Sequence, residues 1–182
     1  MIEIINTSFE GLHLINRKAK VDDRGFFERL YCDDSLSSLL KNKRIQQINH
    51  SMTKLKATVR GLHYQERPYS EIKIVSCLKG EIWDLAVDLR RNSPSFLKYY
   101  GVYLSSERFQ SIFIPEGFAH GFQTLSDNCE LIYFHTERYM TNYEKGLNPI
   151  DPLLGIEWPL AISQLSYRDK NHKMIDQTFS GF

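Results

Sequence analysis

Between Gln47 and Thr136 the chain runs mostly in short stretches of alternating character bounded by turn residues, a pattern that predicts strands. In residues 47–53 the polar side chains of Gln47, Asn49, Ser51 and Thr53 fall on one face, and Ile48 and Met52 on the other. A polar row inside a strand implies a wet pocket or solvent on that side. Further strands are predicted over 59–65, 72–78, 81–90, 97–104, 110–114 and 129–136, separated by turn signals such as Lys79-Gly80, Asn92-Ser93-Pro94 and Ser126-Asp127-Asn128. Within 81–90, Trp83, Leu85, Val87 and Leu89 alternate with Asp84, Ala86 and Asp88. Upstream, residues 11–15 read as an edge strand, and the aromatic run 26–31 reads as a strand after the charged turn Asp22-Asp23-Arg24-Gly25. One short helix is expected where Leu36, Leu39 and Leu40 recur at helical spacing behind the capping candidates Asp33, Asp34 and Ser35; it ends in the basic run 41–44. The tail, 142–182, is irregular and is expected to wrap the strands.

Many short strands with one minor helix define an all-β fold: a sandwich, a jelly roll or a small barrel. Nothing repeats, no Gly/Ser-rich linker divides the chain, and 182 residues suit one domain with a real core, so a single domain over 1–182 is expected. A hydrophobic content of 42%, with 25% charged residues, is that of an ordinary globular chain. The formal net charge of +1 supplies no global basic field for nucleic acid, which leaves a small molecule as the expected partner. The N-terminus lacks the marks of a signal peptide and no apolar run approaches a membrane span, so the cytoplasm is the expected location, with no membrane partner. Cys32, Cys77 and Cys129 are scattered and odd in number, and read as buried small hydrophobes.

Candidate chemistry gathers in Arg60-Gly61-Leu62-His63-Tyr64-Gln65, followed by Lys73. A lone histidine on a strand is more often a core or surface residue than a catalyst, but here two fixed cations accompany it. Arg60 and His63 have opposite parity and can converge only if Gly61 supports a bulge or bend. Lys73 interrupts an apolar strand, and its burial would demand a charge partner or a ligand. A second cluster, Pro115-Glu116-Gly117-Phe118-Ala119-His120-Gly121, marks a tight turn that delivers His120 to the start of the next strand. Its P-x-G-x-x-H spacing matches half of the cupin metal motif. The other half should read H-x-H and then glutamate, but the chain has His63-Tyr64-Gln65, with Glu71 six positions past Gln65. Two of the four usual ligands are missing, which disfavours zinc or iron, and no metal ligand is assigned.

A resemblance rests on ordered blocks: Asp22-x-Arg24-Gly25-Phe26-Phe27, Gln47-x-Asn49-His50-Ser51, Arg60 to Gln65, Val87-Asp88-Leu89-Arg90, Ser93-Pro94, Ile114 to Phe122, Tyr133, Asp151-Pro152, Gly155-Ile156-x-Trp158-Pro159 and Leu165-Ser166-x-x-Asp169. Over nearly its whole length the chain is similar to the dTDP-4-dehydrorhamnose 3,5-epimerase family, metal-independent cupins of nucleotide-sugar metabolism. The resemblance implies a cupin jelly-roll barrel with one or a few short helices and no metal or organic cofactor. It also implies a homodimer whose N-terminal segment can complete the neighbour's pocket, and a dTDP-linked 4-keto-6-deoxyhexose as substrate, in deoxysugar supply for a polysaccharide or glycosylated metabolite.

The same resemblance implies roles. His63 would be the base, with Asp169 accepting its other ring N–H; Lys73, with Arg60 near it, would stabilise the enolate. Tyr133 would be the acid on the opposite sugar face, with Tyr139 as a second candidate. Substrate binding carries over to Arg24, Phe27, Gln47, Asn49, Arg60, His120 and Glu144, and to Arg168 where many relatives have lysine. Two positions depart from the family pattern: Arg29 stands in place of glutamate, with Glu28 one residue early, and Glu71 in place of glutamine. An Arg29/Glu71 contact could compensate. Alternatives stay open: a paralogue inverting one carbon or acting on another nucleotide sugar, a metal-dependent cupin, or a catalytically silent sugar-binding cupin.

Overall fold

A computed structural model describes residues 2–182. The chain opens with a hairpin of β1 (Ile2–Asn6) and β2 (His13–Arg17), then a smaller hairpin of β3 (Lys20–Asp22) and β4 (Gly25–Phe27), and then α1 (Asp33–Leu40). Eight strands follow: β5 (Gln47–Thr53), β6 (Thr58–Gln65), β7 (Lys73–Lys79), β8 (Glu81–Asp88), β9 (Tyr99–Ser105), β10 (Gln110–Ile114), β11 (Phe118–Thr124) and β12 (Cys129–His135). The tail adds β13 (Glu144–Gly146), β14 (Gln164–Leu165) and α2 (Tyr167–Lys170). One sheet runs β1-β2-β10-β7-β12-β5; the other runs β13-β6-β11-β8-β9, with β14 alongside β6. Strands adjacent in space come from distant parts of the sequence, as in a jelly roll.

Three apolar clusters hold these layers. One, with Val75, Ile82, Leu104, Ile112, Phe122 and Leu131 among its members, draws on strands of both sheets. A second joins Leu62, Leu85, Val87 and Ala119 to Trp158, Phe179 and Phe182, so the tail does wrap the barrel. A third sets Leu36 and Leu40 of α1 against Ile74, Phe113 and Phe134. β8 is buried on both faces, so the acids in its alternating sequence are enclosed: Asp84 and Asp88 are fully buried, paired with His120 and with Arg90, Ser93 and Ser95.

Several local expectations are corrected. The run 26–31 is a strand only as far as Phe27, beyond which Glu28 turns to an ion pair with Arg17 at 2.5 Å. The N-cap of α1 is Cys32 without a side-chain cap bond, while Asp33 and Asp34 occupy the first turn, where the helix dipole favours acids. β2 lies between β1 and β10, so the edge belongs to β1. The strand expected to start at His120 starts at Phe118. Cys77 and Cys129 are buried, but Cys32 is only partly so.

The required bend at Gly61 is present. Pairing of β6 with β11 matches His63 to His120 but Arg60 to Phe122, so one extra residue of β6 is accommodated as a bulge. Gly61 takes φ +115°, and a Cβ there would lie 2.6 Å from the Gly121 Cα and 2.7 Å from the His120 carbonyl oxygen. Only glycine meets both demands. Gly61→Ala should therefore destabilise the fold by at least about 2 kcal/mol, read as a fall in denaturation midpoint.

Candidate active site

A cleft of about 960 Å³ opens between the two sheets. β6 and β11 line it with Arg60, His63 and His120; the other sheet supplies Asn49, Ser51, Lys73, Tyr133 and His135. The bulge at Gly61 lets Arg60 and His63 share this space despite their opposite parity.

His63 meets Asp169 at 2.7 Å through Nε2. A carboxylate only accepts, so toward Asp169 Nε2 acts as the donor, which leaves the lone pair on Nδ1; Arg168 Nη2 stands beside the same nitrogen at 2.9 Å. Asp169 arrives from the far end of the chain by two local devices: β14 pairs in parallel with Thr58 and Val59, and Ser166 caps α2 by accepting the Asp169 N–H at 3.0 Å. Its second oxygen accepts the Gly61 N–H at 3.4 Å. Burial would raise the Asp169 carboxyl, but the His63 hydrogen bond and charge, with the Ser166 and Gly61 bonds, hold it below the ordinary range.

Lys73 is buried and has the charge partner its burial requires: Nζ lies 3.1 Å from the Glu71 carboxylate and 3.3 Å from the His63 carbonyl oxygen. Two of its three N–H groups are thus engaged, leaving one for a ligand oxygen in the cleft. Glu71 also accepts from His135 Nδ1 at 2.8 Å. Burial works to raise Glu71, and the Lys73 charge with the His135 bond overcomes it, leaving the carboxyl below its usual range. The expected Arg29/Glu71 contact is absent among the described residues: Glu71 is committed to Lys73 and His135, and the polar neighbour of Arg29 is Cys32 at 4.0 Å.

Tyr133 rises from the sheet opposite His63. Its hydroxyl lies 3.1 Å from that of Ser51, its ring sits edge-on to His120 and stacked on His135, and burial raises its phenol above the ordinary value. His120 donates Nε2–H to Asp84 at 2.9–3.0 Å. Burial raises the fully enclosed Asp84 carboxyl, against the opposing charge of His120.

At the lip of the cleft Glu144 accepts from Arg168 at 2.8 and 3.1 Å and from the Tyr139 hydroxyl at 2.7 Å, so three of the expected binding residues come together as a pair and a clamp. Tyr139 is thereby committed as a donor, with its phenol raised chiefly by the Glu144 bond. Gln47 reaches the cleft through neighbours: it donates to Asn49 at 3.1 Å and accepts the Tyr139 N–H at 3.0 Å. Arg24 and Phe27 are not brought to this cleft. They sit on the exposed β3–β4 hairpin, where Arg24 pairs with Asp22 at 2.6 Å. Asp84, His135 and Ser51 went unassigned in the sequence, because each owes its place to a partner on a strand distant in sequence, and Glu71 went unassigned as the partner of Lys73 although it lies only two residues away.

His63, Asp169 and His172 offer ligand atoms within 4.8 Å of one another, the only such group among the described residues. Arg168 Nη2, however, lies 2.9 Å from His63 Nε2, so a fixed positive charge already stands where a cation would bind. The arrangement suits proton transfer to and from an oxygen-bearing carbon acid.

The fold is a cupin-type jelly roll, and its relatives make the chain an isomerase acting on a nucleotide sugar. A family model described as dTDP-4-dehydrorhamnose 3,5-epimerase matches residues 6–177, and the chain belongs to that family. It is 38% identical over 180 residues to the dTDP-4-dehydrorhamnose 3,5-epimerase of Shigella flexneri, covering 98% of this chain and 99% of that one. It is 40% identical over 173 residues to the enzyme of the same description from Methanothermobacter thermautotrophicus, covering 93% and 92%. A solved structure of dTDP-6-deoxy-D-glucose-3,5-epimerase from Legionella pneumophila Philadelphia 1, in complex with dTDP-4-keto-L-rhamnose, superposes with TM-score 0.90 at 40% identity, covering 96% of this chain and 93% of that one.

The carboxyls of Asp169, Glu71 and Glu144 are all held below their ordinary values of 3.8, 4.5 and 4.5. When the folded value lies below the unfolded one, the unfolded chain binds more protons as pH falls, so the stabilisation is complete above about pH 5 and is lost as pH drops through the folded values. Melting temperature should fall on acidification from pH 5 to pH 3, and Asp169→Asn should fall less steeply than the native protein; equal slopes would show that Asp169 does not contribute.

Proposed function

We propose that the whole chain, as one domain over residues 1–182, inverts C3 and C5 of a dTDP-4-keto-6-deoxyhexose by successive deprotonation and reprotonation, using no metal or organic cofactor. The C4 ketone acidifies both hydrogens. Between such a carbon acid and an imidazolium a gap of about ten pKa units remains, about 14 kcal/mol, which a base alone does not close. Lys73 supplies the difference in part, by directing its remaining N–H at the oxygen where enolate charge develops, in a site that is built before substrate arrives. His63 removes the proton with the Nδ1 lone pair, while Asp169 stabilises the imidazolium formed. Tyr133 returns a proton from the other side.

The observation that carries this reading is that His63 and Tyr133 line one cleft from opposite sheets, with Lys73 beside them. A sugar ring lying between the sheets meets a base on one face and an acid on the other, which is what inversion requires. Arg60 suits the diphosphate by its fork geometry, His120 held by Asp84 is a fixed polar contact, and Asn49, Gln47, Glu144, Tyr139 and Arg168 frame the remaining substrate.

Arg24 and Phe27 are read as serving a neighbour's cleft in a homodimer. The support is an exposed hairpin carrying Val21, Phe26 and Phe27 at 70%, 59% and 70% exposure, with Ile48 and Met52 exposed on edge strand β5. None of the described helices is long and apolar enough to cross a membrane. A cytoplasmic enzyme of deoxysugar supply is the setting that fits.

The test is NMR of dTDP-4-keto-6-deoxyglucose with the protein in D₂O. Native protein should exchange the hydrogens at both C3 and C5, and His63→Ala should lose exchange by at least about a hundredfold. Tyr133→Phe should separate the two events: His63 can return deuterium to the face it came from, so exchange persists while inversion falls about a hundredfold or more. Exchange by His63→Ala at the native rate overturns the scheme.

A further inference from the structure

Glu71 is the hub of a row of hydrogen bonds that crosses three neighbouring strands. β12 lies between β5 and β7, and its register sets His135 opposite Gln47 on one side and Lys73 on the other. Along the row, the Tyr139 N–H donates to Gln47 Oε1 at 3.0 Å, Gln47 Nε2 to Asn49 Oδ1 at 3.1 Å, and Asn49 Nδ2 to His135 Nε2 at 3.3 Å. His135 Nδ1 then donates to Glu71 Oε2 at 2.8 Å, and Lys73 Nζ reaches Glu71 Oε1 at 3.1 Å. Both ends have fixed polarity. A backbone N–H can only donate and an ionised carboxylate can only accept, so each amide and the imidazole between them has one permitted orientation.

We propose that Glu71 is a positioning residue that sets the direction of this row, and thereby decides which polar atoms Asn49 and Lys73 leave facing the ligand. The inner side chains are enclosed, with exposures of 8% for Glu71, 12% for His135 and 11% for Lys73, so water is a poor substitute for a partner lost there, whereas the Tyr139–Gln47–Asn49 end of the row is open to solvent. The isosteric Glu71→Gln shows what the carboxylate does. Its single amide oxygen goes to Lys73, the stronger donor, which turns an NH₂ group toward His135 Nδ1. The imidazole must then carry its proton on Nε2, which turns the Asn49 amide over and then the Gln47 amide. At the end of the row, the NH₂ of Gln47 would face the Tyr139 N–H, donor against donor. Glu71→Gln therefore either leaves one bond unmade or presents the ligand with an inverted Asn49 amide; glutamine is the family's usual residue here, so the effect belongs to this chain's pairing of position 71 with His135 and not to glutamine as such.

The first measurement needs no variant. ¹⁵N-histidine NMR of the native protein, with His135 assigned by its loss in His135→Gln, should show the proton on Nδ1 and an unprotonated Nε2. A ring protonated on Nε2, alone or with Nδ1, overturns the proposal. In Glu71→Gln the proton should move to Nε2, and the calorimetric Kd for dTDP alone should rise about tenfold, while kcat falls by less because the amide oxygen still serves Lys73. A ring that keeps its Nδ1 proton in the variant, or an unchanged Kd, also overturns it. The binding and kinetic arms rest on the epimerase reading of the cleft. The ring measurement does not, so a failure of that reading would leave the tautomer result standing.

Discussion

The carboxylate of Asp169 is the contact on which the rest of the site depends. It is 3% exposed, accepts from His63 with one oxygen and from the Gly61 backbone with the other, and so ties the C-terminal segment to the bulged centre of β6. A buried ionised group persists only where its acceptor capacity is filled, and both of these donors lie on the strand that carries the proposed base. Chain wrapping, the shape of the bulge and the tautomer of His63 are therefore one constraint. The tail is irregular because its function is to deliver side chains, through a two-residue parallel pairing and one capped turn, rather than to add a layer.

The two sheets divide the remaining work. β6 and β11 hold His63, Arg60 and the Asp84-anchored His120, while β5, β7 and β12 hold the row from Gln47 to Lys73 together with Tyr133. Charges on both sides are buried in partnered form, which keeps each head group at a fixed place without the reorganisation that water would need. Lys73 illustrates the balance: Glu71 gives the buried side chain the charge partner that burial demands while leaving it one free N–H.

Where sequence reading succeeded and failed follows from the range of the interactions. Strands β5 and β10 were read to the residue, because alternation and bounding turns are local signals. The alternation along β8 was legible, but the full burial of Asp84 and Asp88 was not, since it depends on the strands and loops that enclose them. The expected pairing of Arg29 with Glu71 failed for the same kind of reason. Two altered charges invited each other, but Glu71 already had Lys73 two residues on and His135 on the adjacent strand. Arg24 and Phe27 belong to a recognisable block, yet their hairpin extends away from this chain's own cleft.

By itself the sequence determined the all-β class, the need for a bend at Gly61 and the family, and through the family resemblance it nominated His63, Lys73, Tyr133 and Asp169. The class is carried by local periodicity, the bend by a glycine between residues of opposite parity, and the family by ordered blocks along the chain. Only the tertiary structure decided that Asp169 meets Nε2 of His63, that His120 is held by Asp84, and that Glu71 joins Lys73 to His135 and, through it, to Asn49. Those pairings depend on strand register and on a jelly-roll order that places distant segments side by side, and hydrogen bonds of about 3 Å are far shorter than the scale on which residue patterns speak.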